Sequence, residues 1–353
     1  MVKRRESGAE LLRIIAMVMI IGSHCLSSTN ADTAFQGNEA ATVILFAMRS
    51  VIVCGVNLFA LITGYFMVNK NTASVRKLVE LLLDVAIYGL AMYFISVLLG
   101  INAFSVVGAV KAALPILAGY RWFILGYCIV YLLSPYLNAV LRRITQKEYL
   151  VLLAIYAFFF AVWPTFVPYP PLDDYGYSFH HLLHMYLVGG YIQLHVKEIK
   201  KIYCAGVALA AVLVTVALFL FEDLNVFFLA TVVGYKTAYN SVFIIAESIS
   251  LFLIFAKLKF SNPWINKLAA SAFSVFLLHG DYNMMNYMFT EIFHVELLYD
   301  KAWGLLVFPL YMAAIYVVFA GVDILKQKAL NGSIHHILNK IRIPEIKVSL
   351  QEE

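Results

Sequence analysis

The chain has 353 residues, 62% of them hydrophobic and 13% charged, with a formal net charge of +5 and a mean hydropathy of +0.83. Soluble domains run about 45–50% apolar and about 25% charged, so this composition excludes an ordinary soluble fold and leaves no room for a large soluble domain. The apolar runs are helix-length rather than alternating strands of about ten residues, which argues against a β-barrel. The positive balance is assigned to basic loops beside a bilayer and not to a nucleic-acid partner.

In chain order, the first apolar segment follows Ser7 and Glu10, an S-x-x-E pair that reads as a helix-starting capping box. It is read as an uncleaved first span rather than a signal peptide. Further apolar segments place spans at roughly 9–28, 41–66, 78–99, 121–141, 149–165, 179–195, 202–220, 239–256, 268–289 and 304–325. Segment 100–120 is weakly apolar, contains Pro115, and reads as re-entrant or interfacial. The expected fold is an all-α polytopic membrane protein of about ten helices. A membrane domain over 1–325 precedes a polar tail over 326–353, expected as a cytosolic interfacial helix with a loose end. No internal repeat and no Gly- or Pro-broken helix pair is evident.

Lysine and arginine mark alternate connections. Twenty of the 26 fall in one set: Lys3, Arg4 and Arg5; Lys70, Arg76 and Lys77; Arg142, Arg143 and Lys147; Lys197, Lys200 and Lys201; Lys257, Lys259 and Lys267; and the tail. The opposite set holds Lys111, Arg121, Lys236 and Lys301, and it carries much of the acid, including Asp173, Glu222, Asp223 and Asp300. The positive-inside rule then puts both termini in the cytosol, and the expected location is the cell membrane.

Polar groups inside apolar segments carry the functional signal, because ionisable side chains are costly there and normally face a bundle interior or a water-filled path. Arg13 and His24 stand eleven residues apart, about three helical turns, so they share one face about 16 Å apart. This reads either as a polar track or as a snorkelling arginine with a packed histidine. Arg49, Arg121, Trp122, Glu247, His279 and Asp281 are expected at a similar depth to His24, with Arg49–Glu247 a plausible ion pair. His180, His181 and His184 have helix-face spacing suited to a metal, but no cysteine or zincin motif accompanies them. The four cysteines, Cys25, Cys54, Cys128 and Cys204, form no zinc pattern. No metal and no disulfide is expected, and Cys25 is open to reading as an acyl carrier or a small buried hydrophobe.

These residues resemble the acyltransferase family 3 membrane proteins, which acylate cell-surface glycans from acyl-CoA. ELLRIIAMVMIIGSHC is similar to that family's first span, GVNLFALITGYFMVNK to its second, and RWFILGYCIVYLLSPYLN to its Trp-Phe/Tyr-Leu…Leu-Ser-Pro segment. MYLVGGYI and SAFSVFLLHGDY resemble two later elements. The resemblance covers most of the chain. One departure is the connection KNTASVRK, where many members carry two arginines as R-x-x-R and this chain has only Arg76 and Lys77.

The resemblance implies an O-acyltransferase, most simply an O-acetyltransferase, acting in bacterial envelope polysaccharide biosynthesis. His24 would be the catalytic base and Arg13 its functional partner. Acyl-CoA would be a co-substrate, with no permanently bound cofactor. Its phosphates would rest on Arg13, Arg76, Lys77, Arg142 and Arg143. Arg49, Arg121, Trp122, Glu247, His279 and Asp281 would stabilise an oxyanion or position substrate. Expected partners are the bilayer, acyl-CoA and a glycan acceptor. Some relatives carry an acyl-accepting hydrolase-like domain; here such a partner is expected to be a separate protein at the outer face. The competing classes are a proton-coupled transporter and a glycan polymerase or flippase.

Overall fold

The computed structural model describes residues 7–29, 31–34, 38–119, 121–167, 174–220, 232–234, 236–256, 258–299 and 303–348. Lys3, Arg4, Arg5, Asp173, Glu222, Asp223, Lys257, Asp300 and Lys301 lie outside these residues.

The main helices are α1 (Ser7–Ser28), α2 (Glu39–Met67), α3 (Val75–Leu98), α4 (Val106–Ala113), α5 (Trp122–Leu141), α6 (Gln146–Phe166), α7 (Phe179–His195), α8 (Lys201–Leu220), α9 (Val242–Ala256), α10 (Pro263–Ala270), α11 (Ala272–His279) and α12 (Gly304–Asn339). Seven of these, α1, α2, α3, α5, α6, α8 and α12, are long and apolar enough to cross a membrane, which fits a multi-pass membrane protein. Each coincides with an expected span.

The other three expected spans depart from the simple pattern. Helix α7 has 17 residues and α9 has 15, and 15 residues rise about 22 Å against a hydrocarbon core of about 30 Å. The expected span at 268–289 is broken. Helices α10 and α11 have eight residues each, separated by Ser271. The chain then leaves helix at Gly280 into a turn in which the Asp281 carboxylate accepts from the Asn283 N–H at 3.0 Å. Asp side chains compete for backbone donors in this way and so end helices.

Helix α2 is the central column, and glycine lets its neighbours approach. A Cβ on Gly64 would lie 2.0 Å from the Tyr186 carbonyl oxygen, and one on Gly189 would lie 2.2 Å from that of Leu61. Helices α2 and α7 therefore touch backbone to backbone, as small residues permit in membranes. On the other side, a Cβ on Gly55 would meet the Ala16 carbonyl of α1 at 2.7 Å. Asn138 of α5 donates to the Met67 and Lys70 carbonyls at 2.7 and 3.0 Å, satisfying the end of α2, and accepts from the Tyr186 hydroxyl at 2.7 Å. Pro135 lacks the N–H that would reach the Tyr131 carbonyl; the Ser134 hydroxyl occupies that acceptor at 2.7 Å.

Two termini differ from expectation. Ser7, the first described residue of α1, is helical rather than a cap. Its hydroxyl accepts from the Asn262 N–H at 2.7 Å and donates to Asn266 Oδ1 at 2.8 Å, while Glu10 pairs with Arg13. The capping box is replaced by a tie to α10. The tail is not a separate interfacial helix either. Helix α12 runs unbroken for 36 residues, about 54 Å. Strand β2 (Glu345–Lys347) then pairs antiparallel with β1 (Thr72–Ser74), the segment that leads into α3.

Candidate active site

Arg13, Met17, Ile20 and His24 follow the helical repeat of α1 and line one cavity of about 580 Å³. The same cavity is lined by Arg121, Trp122, Phe123 and Tyr127 from α5, by Phe273 and Phe276 from α11, and by Gly280 and Tyr239. Arg13 and His24 thus belong to one continuous space. Its lining is mainly apolar and aromatic with a few convergent polar groups, the usual make-up of a ligand site.

His24 is held from behind by His279. The two rings approach with His24 Nδ1 3.1 Å from His279 Nε2. His279 Nδ1 lies 2.7 Å from the Val275 carbonyl, which only accepts, so His279 carries its proton on Nδ1. Nε2 of a neutral His279 is then an acceptor, and His24 Nδ1–H is the donor. That leaves His24 Nε2 with a free lone pair. His279 is fully buried, whereas His24 lines the cavity. Gly280 supplies the room: a Cβ there would lie 3.3 Å from His24 Cε1 and Nδ1.

Arg121 is buried with Asp281. Its Nη2 donates to the Leu277 carbonyl at 3.2 Å and to Asp281 Oδ2 at 3.4 Å, and the guanidinium sits 5.5 Å from the Phe276 ring centroid. A cation at the C-terminus of α11 also meets the negative end of that helix. Only part of the five-donor fork is used in these contacts, and Arg121 lines the cavity.

The remaining expected residues lie elsewhere. Glu247 is buried between α2 and α9 and accepts from the Ser50 hydroxyl at 3.1 Å. Arg49 makes no salt bridge to it: neighbouring residues on a helix point about 100° apart, and Ser50 is the one that faces α9. Arg76 pairs with Glu80 at 3.1 Å and with Asn339 at 2.7 Å. Arg142 reaches the Asn71 side chain and the Asn138 carbonyl. Arg76 and Arg142 thus flank the β1–β2 ribbon, and neither they nor Lys77 and Arg143 line the cavity. Tyr131 of α5, stacked on cavity-lining Tyr127 at 6.1 Å, takes the Ser74 N–H of β1 at 3.0 Å, so the ribbon is joined to the cavity wall at its Arg13 end. Lys70, in the connection before β1, has its ammonium pKa lowered by burial and, secondarily, by Lys77.

The histidine run does not converge. His180 stacks on Phe160, His181 Nε2 lies 2.7 Å from Asn57 Oδ1, and His184 packs against Tyr156. Among the described residues no group of three or more His, Cys, Asp or Glu is placed to hold a metal ion. Cys25 is fully buried and is not among the cavity-lining residues.

Sequence reasoning did not single out Tyr239, Phe276 or Gly280, although the last two lie in the segment SAFSVFLLHGDY. Tyr127 was within reach, lying five residues beyond Trp122 on an apolar helix. Also unforeseen is a polar seam between α3 and α12, where Tyr88 donates to Asp323 at 2.6 Å and Lys326 pairs with Asp84.

The described helices define a multi-pass membrane protein whose bundle holds a cavity lined by His24. The chain belongs to acyltransferase family 3: that family's acyltransferase domain matches residues 6–325. No curated protein and no solved structure matches the chain. Family membership supports an acyltransferase activity.

Proposed function

We propose that the chain is a ten-span cell-membrane O-acyltransferase with cytosolic termini, moving an acyl group, most simply acetyl, from acyl-CoA to a hydroxyl of a cell-surface or lipid-linked glycan. The observation that carries this reading is the single cavity joining Arg13 to His24, with His24 Nε2 left as a free base. His24 Nε2 takes the acceptor hydroxyl proton as that oxygen attacks the thioester carbonyl. The C–S bond breaks, the ester forms, and His24 returns the proton to the leaving thiolate. The charge developing on His24 is met by the His279 lone pair. Arg121 is suited to the oxyanion. Arg13 and, beyond it, the cations around the β1–β2 ribbon would hold the CoA phosphates. The roughly 16 Å between Arg13 and His24 matches the reach of a pantetheine arm. Arg49 and Glu247 have packing roles in this scheme.

Radiolabelled acetyl-CoA turnover by the protein in lipid nanodiscs tests it. Slow cleavage to free CoA, lost in His24→Ala and in Arg13→Ala with folding retained, is the expected result. A second reading has one observation in its favour: the α10–α11 break resembles the discontinuous helices of transporters. Absence of both acyl-CoA binding and turnover, together with proton-coupled solute uptake in vesicles, would replace the enzyme by a transporter.

A further inference from the structure

At the end of the cavity away from Arg13, three aromatic rings from three chain segments meet. Trp122 lies 5.1 Å from Tyr177 and 5.9 Å from Tyr239, and Tyr177 lies 4.9 Å from Tyr239, centroid to centroid. Trp122 and Tyr239 line the same cavity as His24, while Tyr177 is 52% exposed. The rings therefore form a surface that starts beside the candidate base and runs outward.

The backbone under this surface is fixed at a cost. Tyr175 has φ 57 and Gly176 φ 83; a non-glycine residue in the left-handed region is strained and persists only where its surroundings hold it. Here the Tyr239 N–H donates to the Tyr175 carbonyl at 3.1 Å. The Asp174 carboxylate accepts from the Gly176 N–H at 3.0 Å, and the Asp174 carbonyl accepts from the Tyr177 N–H at 3.0 Å. A Cβ on Gly176 would lie 2.8 Å from Tyr239 Cβ, so the turn carrying Tyr177 rests directly on Tyr239. From the other side Asn57 Nδ2 donates to the Tyr239 carbonyl at 3.0 Å, and His181 Nε2–H donates to Asn57 Oδ1 at 2.7 Å. The segments that carry Tyr177 and Tyr239 are thus locked to each other and to Asn57 of α2, and Trp122 of α5 packs against both rings at the cavity mouth.

Resting on the acyltransferase reading of the cavity, we propose that Trp122, Tyr177 and Tyr239 form the acceptor subsite, a platform that binds one pyranose ring by its C–H face and turns a hydroxyl toward His24. Rigid aromatic rings give large apolar contact area at little entropic cost and keep a polar edge for hydroxyl groups. A flat sugar face has the matching shape: apolar C–H bonds across the ring, hydroxyls at its rim. The anionic donor is drawn to the opposite end by Arg13, which leaves the aromatic end to an uncharged partner.

The test uses the full chain in nanodiscs with labelled acetyl-CoA and a panel of methyl pyranosides, with sorbitol as an acyclic polyol control. Pyranosides accept the acyl group and sorbitol does not. Tyr177→Ala raises the acceptor KM about tenfold, the loss of one ring contact, with a smaller effect on kcat. Tyr177→Phe keeps the wild-type KM, because stacking needs the ring and not the hydroxyl. Sorbitol acylated as well as the pyranosides, an unchanged KM in Tyr177→Ala, or Tyr177→Phe as impaired as Tyr177→Ala would each overturn the platform. Wild-type protein that cleaves no acetyl-CoA, even with water as acceptor, instead overturns the acyltransferase reading. The platform is then judged by saturable quenching of Trp122 fluorescence by the same pyranosides, with Trp122→Phe as the signal control. Quenching abolished in Tyr177→Ala supports it, and no saturable quenching by any of the panel overturns it.

Discussion

His24 and His279 are separated by 255 residues and meet nitrogen to nitrogen at 3.1 Å. The Val275 carbonyl fixes the proton on the far side of His279, and that single hydrogen bond at 2.7 Å propagates through both rings to the cavity. In the proposed mechanism His279 acts through His24 and touches no reacting atom, so it is a positioning residue.

Replacing His279 with Ala removes the acceptor that holds His24 Nδ1–H and frees the ring to turn or change tautomer. The expected effect is a fall in kcat of about 10- to 100-fold, at or below the foot of the 10²–10⁴-fold range of a general base itself because the base is misaligned and not removed, with acyl-CoA affinity retained. Nitrogen-15 NMR of labelled histidine should show His24 protonated on Nδ1 in the wild type and in exchange between tautomers in the variant. A kcat within twofold of wild type would remove His279 from the mechanism.

The Arg121–Asp281 pair is almost wholly buried, with side-chain exposures of 5% and 2%. Losing one member leaves an uncompensated charge, so Asp281→Ala should destabilise the protein by about 3–5 kcal/mol. The double variant Arg121→Met, Asp281→Leu should regain much of that stability in thermal unfolding yet remain inactive, because the cavity then lacks the guanidinium beside His24. Recovery of activity in the double variant would show that Arg121 serves the fold alone.

Gly64 and Gly189 should behave as packing residues. An added methyl at Gly64 meets the Tyr186 carbonyl at 2.0 Å, and overpacking of this kind costs about 1–3 kcal/mol. Gly64→Ala should therefore lower the unfolding temperature and the yield of folded protein, while the fraction that folds keeps its KM for acyl-CoA. A changed KM at unchanged stability would give Gly64 a direct part in the site.

Acyl-CoA binding should weaken as pH rises on the alkaline side. Burial, with a smaller contribution from Lys77, holds Lys70 below the usual lysine pKa of about 10.4 in the free protein. Phosphate nearby would favour the ammonium and raise that pKa. Binding then takes up a proton, so affinity is full below the free-state pKa and falls as pH climbs through it. Calorimetric titration of CoA across the alkaline range should show this loss, and Lys70→Met should bind more weakly with a flatter profile. Identical profiles would place the phosphates away from this connection.

The polar track was legible because it lies within one helix. Arg13, Met17, Ile20 and His24 share a face by the helical repeat alone, and the seven long apolar helices announce themselves by length and hydropathy. Glu247 shows where that reasoning stops. Its charge was evident and its depth calculable, yet its partner is Ser50 and not Arg49, because one residue of rotation on α2 decides which side chain meets α9. The break between α10 and α11 was hidden for a related reason: Ser271 interrupts an apolar stretch without proline or glycine at the gap.

A polytopic helical bundle, its family and the Arg13–His24 face could all be read from the chain, since hydrophobic length and the 3.6-residue repeat are local properties. Packing alone sets His279 behind His24, pairs Arg121 with Asp281, gathers Trp122, Tyr177 and Tyr239 at one mouth, and joins strand β2 to β1. Those contacts join segments far apart in sequence, and they depend on which faces of which helices pack together and how closely glycine lets them approach.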